Sequence, residues 1–338
     1  MFGMSMDIGI DLGTANVLVF VKGKGVVLRE PSVVAMDRDS GRVLAIGEEA
    51  RRMIGRTPGN IAAIRPLRSG VIADYDMTER MIRFFIEKVT GKSFVFRPRI
   101  MICIPSGVTT VEQRAVQEAA EQAGARYSQL TEEPLAAALG AGLNIEEANG
   151  SMVVDIGGGT TDVAVISLGG IVNSASLRIA GDTFDEAIIA YVKREYNMLI
   201  GERTAEDIKV NVGAAFFGAR DASMEVRGRD LLSGLPKTIT VTSKNAAEAL
   251  ETPVTGIVQC VKKVLEETPP ELAADIMDRG IVMTGGGALL YGLDELLRHE
   301  TGIAAALAED PMSCVAFGTG KALEYIGMSA ERVKFLSK

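Results

Sequence analysis

The chain has 338 residues and a net charge of −8, with 47% hydrophobic and 24% charged side chains. That composition supplies cores and excludes a disordered chain, and the acidic balance argues against general nucleic-acid binding. The length exceeds one comfortable core, so two domains or two lobes are expected, and no run approaches the roughly 18 apolar residues of a membrane span.

The opening "MFGMSMD" has neither the basic region nor the long apolar run of a secretory signal. Cys103, Cys260 and Cys314 lack CxxC spacing and suit reduced thiols; with His299 as the single histidine, no zinc site is expected. These features describe a soluble, intracellular, two-lobed protein.

In chain order, "IGIDLGTANVLVF" (Ile8 to Phe20) comes first: an apolar run, an Asp, then Gly-Thr, then a second apolar run. "SVVAM" and "RVLAIG" read as short strands. "MTERMIRFFIEKV" carries Met77, Met81, Phe84, Phe85 and Val89 at helical steps, which predicts a helix with one apolar face. "RIMICIPSG" predicts a buried strand. "TVEQRAVQEAAEQAG" predicts a helix with Thr110 and Gln113 as a capping box and Gly124 as its stop. In "LTEEPLAAALGAGL", Pro134 suits a first helical turn and the alanines allow close helix packing. Glu133 then stands at that helix's N-terminus, where a carboxylate is favoured electrostatically whether or not it has another role. "VVDIGGGTTDVAVI" (Val153 to Ile166) repeats the acidic glycine turn. A helix from Phe184 to Ile200, a polar segment to about residue 250, two more helices and the strand "RGIVMTGGG" complete the plan. Strands interleaved with helices indicate an α/β fold.

The repeated turn carries the chemistry. A strand entering Asp-x-Gly-Thr and leaving as a second strand makes a hairpin whose tip exposes backbone N–H groups. Glycine permits close approach of an anion there, and Thr14, Thr160 and Thr161 add hydroxyls. Asp11 or Asp155 would repel a phosphate unless a hard cation lies between them, and Mg²⁺ accepts one or two carboxylates beside its waters and phosphate oxygens. A single such hairpin is usually only a turn. Two of them facing across a cleft would hold a Mg-nucleotide from both lobes. The other phosphate motifs fail: "GTGKA" at Gly318 has the wrong spacing for a P-loop, and "TGGGALLYG" has Leu290 where a dinucleotide fingerprint needs its last glycine.

Taken in order, these segments resemble the actin/Hsp70/sugar-kinase ATPase superfamily. "DLGTANVLV" is similar to its first phosphate motif, "VVDIGGGTTDVAV" to its second, and "IVMTGGGALLYGL" to its adenosine motif. "RTPGNIAAIRPLRSGVIADY", "IGERTAEDIK" and "PPELAADIMDRGIVMTGGGALLYGLDELL" resemble more closely the bacterial actins of the MreB type, over nearly the whole chain. The resemblance implies an actin-like two-lobed α/β fold with the nucleotide between lobes. Lobe I would span about 1–143, with a small subdomain near 33–74 and completion by a helix at 316–338. Lobe II would span about 144–315, with a small subdomain near 182–248.

The same resemblance implies a polymerising ATPase that uses ATP/ADP and Mg²⁺. Asp11, Gly13, Thr14, Ala15 and Asn16 would meet the phosphates and the metal's waters, as would Asp155, Gly157, Gly158, Gly159 and Thr160. Asp11 and Asp155 would hold Mg²⁺ through water. Glu206 and Lys209 would flank adenine and ribose, with Gly286, Gly287, Ala288 and Leu289 beneath. Glu133 would orient the attacking water and Thr160 would stand beside the terminal phosphate. Implied partners are further copies of the chain, the inner face of the cytoplasmic membrane and the membrane-bound cell-wall elongation machinery; no nucleic acid is implied.

Alternatives stay open at this stage. A small-molecule kinase would need an Asp base near the second turn, and Asp162 is on the outgoing strand. A non-hydrolysing nucleotide-gated scaffold is another. Phe94, Val95 and Phe96, collared by Lys88, Lys92, Arg97 and Arg99, suit a membrane-inserting loop; alternation of the two phenylalanines into the core is the competing reading.

Overall fold

The computed structural model describes residues 6–91 and 97–325. Two five-stranded sheets dominate, and they share one topology. In the first, Asp7–Leu12, Asn16–Val21 and Gly25–Pro31 form an antiparallel meander. Arg99–Ile104 and then Tyr127–Glu132 join its opening edge in parallel. In the second, Ser151–Ile156, Thr161–Ser167 and Gly170–Leu177 form the meander. Ile281–Thr284 and then Ala305–Leu307 join it in parallel. Both opening strands are almost wholly buried, which explains their near-continuous apolar runs.

Helices layer these sheets. Tyr75–Thr90 and Thr110–Gln122 share a core with the first sheet through Met81, Phe85, Ala119 and Ala120. Gly181–Tyr196 and Ser243–Glu266 cover the second through Phe184, Ile188, Ile257 and Val261. Glu133–Gly140 and Cys314–Tyr325 lie between the sheets in a third core with Met101, Val153 and Ala164. A side-chain carbon on Gly140 would collide with the Cys314 carbonyl, and one on Gly318 with the Ala136 carbonyl, so these two helices meet backbone to backbone. The small residues of "PLAAALGAG" serve that contact.

Two smaller sheets flank the cleft: Val34–Asp37, Val43–Ile46 and Ile61–Ile64, and Met198–Leu199, Ser223–Asp230 and Pro236–Thr242. Among the described residues, no helix is long and apolar enough to cross a membrane.

Local details correct the sequence reading. The capping box is Thr109 with Glu112, one residue earlier than expected, because Thr109 has extended backbone (φ −73°, ψ 159°) while Thr110 is already helical. The helix expected from Phe184 to Ile200 stops at Tyr196, where Asn197 turns left-handed (φ 50°) and the chain becomes a strand. The polar segment before residue 250 contains the helix Glu202–Val212 and a β-hairpin. Phe84, placed on the apolar face by spacing, is 38% exposed and packs edge-on against Phe85.

Candidate functional site: a cleft between two acidic hairpins

Each meander turns at one of the two acidic motifs, so both motifs lie at corresponding strand ends. The tips touch. A side-chain carbon on Gly158 would stand 2.5 Å from the Ala15 Cβ, and one on Gly159 would strike the Thr14 hydroxyl and approach Ser69 within 2.9 Å. Ser32 braces the first tip by donating its hydroxyl to Gly13 O (2.6 Å) and its N–H to Ala15 O (3.0 Å). Thr14 Oγ1 accepts from the Gly70 N–H at 3.0 Å. The second tip is closed by the Gly157 N–H donating to Thr160 O at 2.9 Å.

A cavity of about 410 Å³ opens beside these tips. It is lined by Asp11, Gly13, Thr14, Ala15, Asn16, Glu133, Asp155, Gly157, Gly158, Gly159, Thr160, Glu206, Lys209, Gly286, Gly287 and Leu289. The tertiary structure thus brings together all of the expected site residues inside the described segments except Ala288 and Thr161. Ala288, the middle residue of the short 3₁₀ turn Gly287–Leu289, is buried in the core. Thr161 also points away: its hydroxyl donates to Ile179 O at 2.6 Å, because alternation along its strand faces it inward. Phe94, Val95 and Phe96 lie outside the described residues.

The cavity has walls that motif reading missed. Gly285, Pro311 and Met312 also line it, and Arg51, at the end of the short helix Glu48–Arg51, and Arg65, just after the strand Ile61–Ile64, reach in beside the first hairpin. Arg51 Nη2 donates to Glu206 Oε2 at 2.7 Å, and Arg65 Nη1 to Asp182 Oδ1 at 2.9 Å. Lys209 Nζ donates to Gly181 O at 2.9 Å and pairs with Asp185. Isolated arginines in surface-like segments give no sequence signal, so only the fold shows that they close the mouth.

The electrostatics are one-sided at the back of the cleft. Burial raises the Asp11 carboxyl to about 7, partly offset by its contact with the Cys103 thiol. Burial likewise raises Asp155 to about 7, against the hydrogen bond from Thr284. Glu133, 9% exposed, is pushed well above the carboxylate range by burial and then by Asp162, Asp155 and Asp11. Asp162 rises to about 6, chiefly through burial, while the Ser106 N–H donates to its Oδ1 at 3.0 Å. Desolvated carboxylates that repel one another favour an added cation. Among the described residues, no group of three or more His, Cys, Asp or Glu can hold a metal ion by itself. Two hard carboxylates without a complete protein cage fit Mg²⁺, which keeps waters and takes its remaining ligands from phosphate.

Two similarly wound sheets, two touching acidic hairpins and a cleft between them define an actin-like nucleotide-binding fold. MreB5 of Spiroplasma citri bound to AMPPNP superposes with a TM-score of 0.92 at 39% identity, covering 98% of this chain and 99% of that one. A chain of the MamK double helical filament shares the fold, with a TM-score of 0.81 at 20% identity over 95% of this chain and 99% of that one. The family described as MreB/Mbl protein matches residues 5–331, and the chain belongs to that family. It is 61% identical to the cell shape-determining protein Mbl of Bacillus subtilis (strain 168), over 94% of this chain and 96% of Mbl. It is 58% identical to the cell shape-determining protein MreB of Escherichia coli (strain K12), over 96% of this chain and 95% of MreB.

Proposed function

We propose that this protein is a bacterial actin that binds ATP, hydrolyses it slowly and assembles into filaments at the inner face of the cytoplasmic membrane, where it organises cell-wall synthesis and sets rod shape. The observation that carries the nucleotide reading is the contact between Gly158–Gly159 and Thr14–Ala15, with Asp11 and Asp155 in the same cleft. The names of its relatives support the shape-determining role, and AMPPNP- and ADP-bound MreB5 structures support the nucleotide. The lobe boundaries expected from sequence, with the division near residue 143, belong to this reading.

In this mechanism the tip amides of both hairpins hold the phosphate chain, and the Thr14 and Thr160 hydroxyls add donors. Asp11 and Asp155 would hold Mg²⁺ through its waters; when bound, the metal neutralises phosphate charge. Glu133 orients the attacking water through a hydrogen bond; the water oxygen bonds to the terminal phosphorus as that phosphorus parts from the bridging oxygen, and ADP leaves. Phosphoryl transfer requires mainly such positioning and charge neutralisation. Glu206 and Lys209, which line the cavity with Gly286 and Gly287, would flank adenine and ribose, so nucleotide entry would exchange some of the Arg51–Glu206 contact for ligand contacts.

A small-molecule kinase is disfavoured because Asp162 is 1% exposed and its Oδ1 is engaged by Ser106. The test is sedimentation after addition of Mg-ATP, with phosphate release followed in parallel. Pelleting with ATP and release accelerated by assembly is the expected result. Release dependent on a sugar or other small acceptor, without pelleting, would replace the filament reading with the kinase reading.

A further inference from the structure

The two acidic hairpins share an unassigned feature on their buried side. Asp155 pairs in register with Thr284 on the neighbouring parallel strand, as Asp11 pairs with Cys103. Thr284 is fully buried, and its Oγ1 donates to Asp155 Oδ1 at 2.9 Å. Cys103 Sγ stands 3.8 Å from Asp11 Oδ1 and 3.4 Å from Ile10 O. One carboxylate is therefore gripped by a hydroxyl and the other is faced by a thiol, a much weaker donor. The same Asp155 oxygen is walled by Gly285, where a side-chain carbon would come within 2.8 Å of it. With Oδ1 held by Thr284 and enclosed by Gly285, Oδ2 is the oxygen left for the cleft that Asp155 lines.

We propose that Thr284 is a positioning residue for magnesium-dependent nucleotide binding: its hydroxyl locks the Asp155 carboxylate so that one oxygen faces the metal's water shell. This rests on the proposed nucleotide function. A hydrogen bond from a hydroxyl to a carboxylate is directional and stronger than a neutral pair. Without it the carboxylate rotates about its side-chain bond, and the water-mediated contact loses its fixed geometry. Groups that orient metal-binding carboxylates typically change metal affinity about 10- to 100-fold when removed. Because the thiol is the side-chain partner of Asp11 among the described residues, Thr284 has no equally strong counterpart there across the cleft.

The test measures the affinity of a fluorescent ATP analogue with Mg²⁺ and with EDTA. It compares the wild type with Thr284→Val, Thr284→Ser and Thr284→Cys. Thr284→Val should lose about tenfold of the affinity gained from Mg²⁺, with EDTA-state affinity unchanged. Thr284→Ser should restore the gain, and Thr284→Cys should fall between. Wild-type magnesium dependence in Thr284→Val overturns the proposal. So does a Thr284→Ser variant as impaired as Thr284→Val, since the methyl group would then be what matters. If Thr284→Val does not fold, the Ser and Cys variants decide: equal magnesium dependence in both overturns it. A wild-type protein that binds the ATP analogue equally with Mg²⁺ and with EDTA overturns the proposal, whereas one that binds it under neither condition overturns the nucleotide reading itself.

Discussion

Gly158 of the second hairpin and Ala15 of the first approach so closely that any side chain at Gly158 would begin 2.5 Å from the Ala15 Cβ. The two hairpin tips thus touch directly, and the distance between them is set by the absence of one carbon.

That contact yields the first prediction. Gly158→Val forces the tips apart and misplaces the amides of both hairpins, while the apolar strands behind them remain paired. The variant should keep its far-ultraviolet circular dichroism and lose at least about tenfold in ATP affinity, since misplacing an anion site costs one or more charge-assisted hydrogen bonds. Unchanged affinity by calorimetry would show that the tips can separate without consequence.

A second prediction follows from the carboxyls raised to about 7 at Asp11 and Asp155. Their values in the unfolded chain are near 3.8, so between about pH 4 and 7 the folded state binds more protons than the unfolded state. Without nucleotide and Mg²⁺, stability should therefore fall as pH rises through that window. Asp155→Asn removes the buried charge and should raise the melting temperature at pH 8 relative to wild type, by an amount that shrinks toward pH 5. The same variant should lose Mg²⁺-dependent ATP binding. Thermal melts at both pH values, with and without Mg-ATP, check both halves of the statement.

Glu133 gives a third. It sits at the first position of its helix, after the N-cap residue Glu132, and lines the cavity. Glu133→Ala should bind ATP as wild type does and release phosphate about 10²-fold more slowly, the scale of losing the group that positions the attacking water. Phosphate release at the wild-type rate would leave Glu133 as an acid placed for the helix dipole alone.

The fourth concerns the segment with Phe94, Val95 and Phe96, whose described neighbours Gly91 and Arg97 are exposed. Phe94→Ser combined with Phe96→Ser should abolish co-sedimentation with anionic liposomes while leaving ATP affinity intact. Filaments should bind liposomes far better than monomers, because many weak loops act together. A double variant that unfolds would mean that the phenylalanines are core residues; full retention of liposome binding would locate the anchor elsewhere.

Much of this was readable from residues alone, because the decisive signals are local. An apolar run, an Asp and a Gly-Thr pair specify a strand that turns tightly, and they do so twice, at Asp11 and at Asp155. Burial period separates strands from helices, and Pro134 marks where one helix starts. Cap placement at Thr109 failed by one residue, since neighbouring threonines offer the same hydroxyl and only backbone dihedrals choose between them. The break at Asn197 failed because the following Met198 and Leu199 continue an apolar pattern that a helix or a strand could use.

What the chain determined by itself was the α/β class and the two acidic glycine hairpins, while Glu133 entered their vicinity only through the family resemblance. What only the tertiary structure decided was contact between parts far apart in sequence. Ala288 and Thr161 face a core because the sheet beneath them sets their orientation. Arg51 meets Glu206, and Arg65 meets Asp182, because the segments around the first small sheet lie against the helices Glu202–Val212 and Gly181–Tyr196. Thr284 reaches Asp155 because two parallel strands bring residues 155 and 284 into register. Sequence spacing encodes neighbours along one element; which elements lie side by side is settled by the burial of all their apolar faces together.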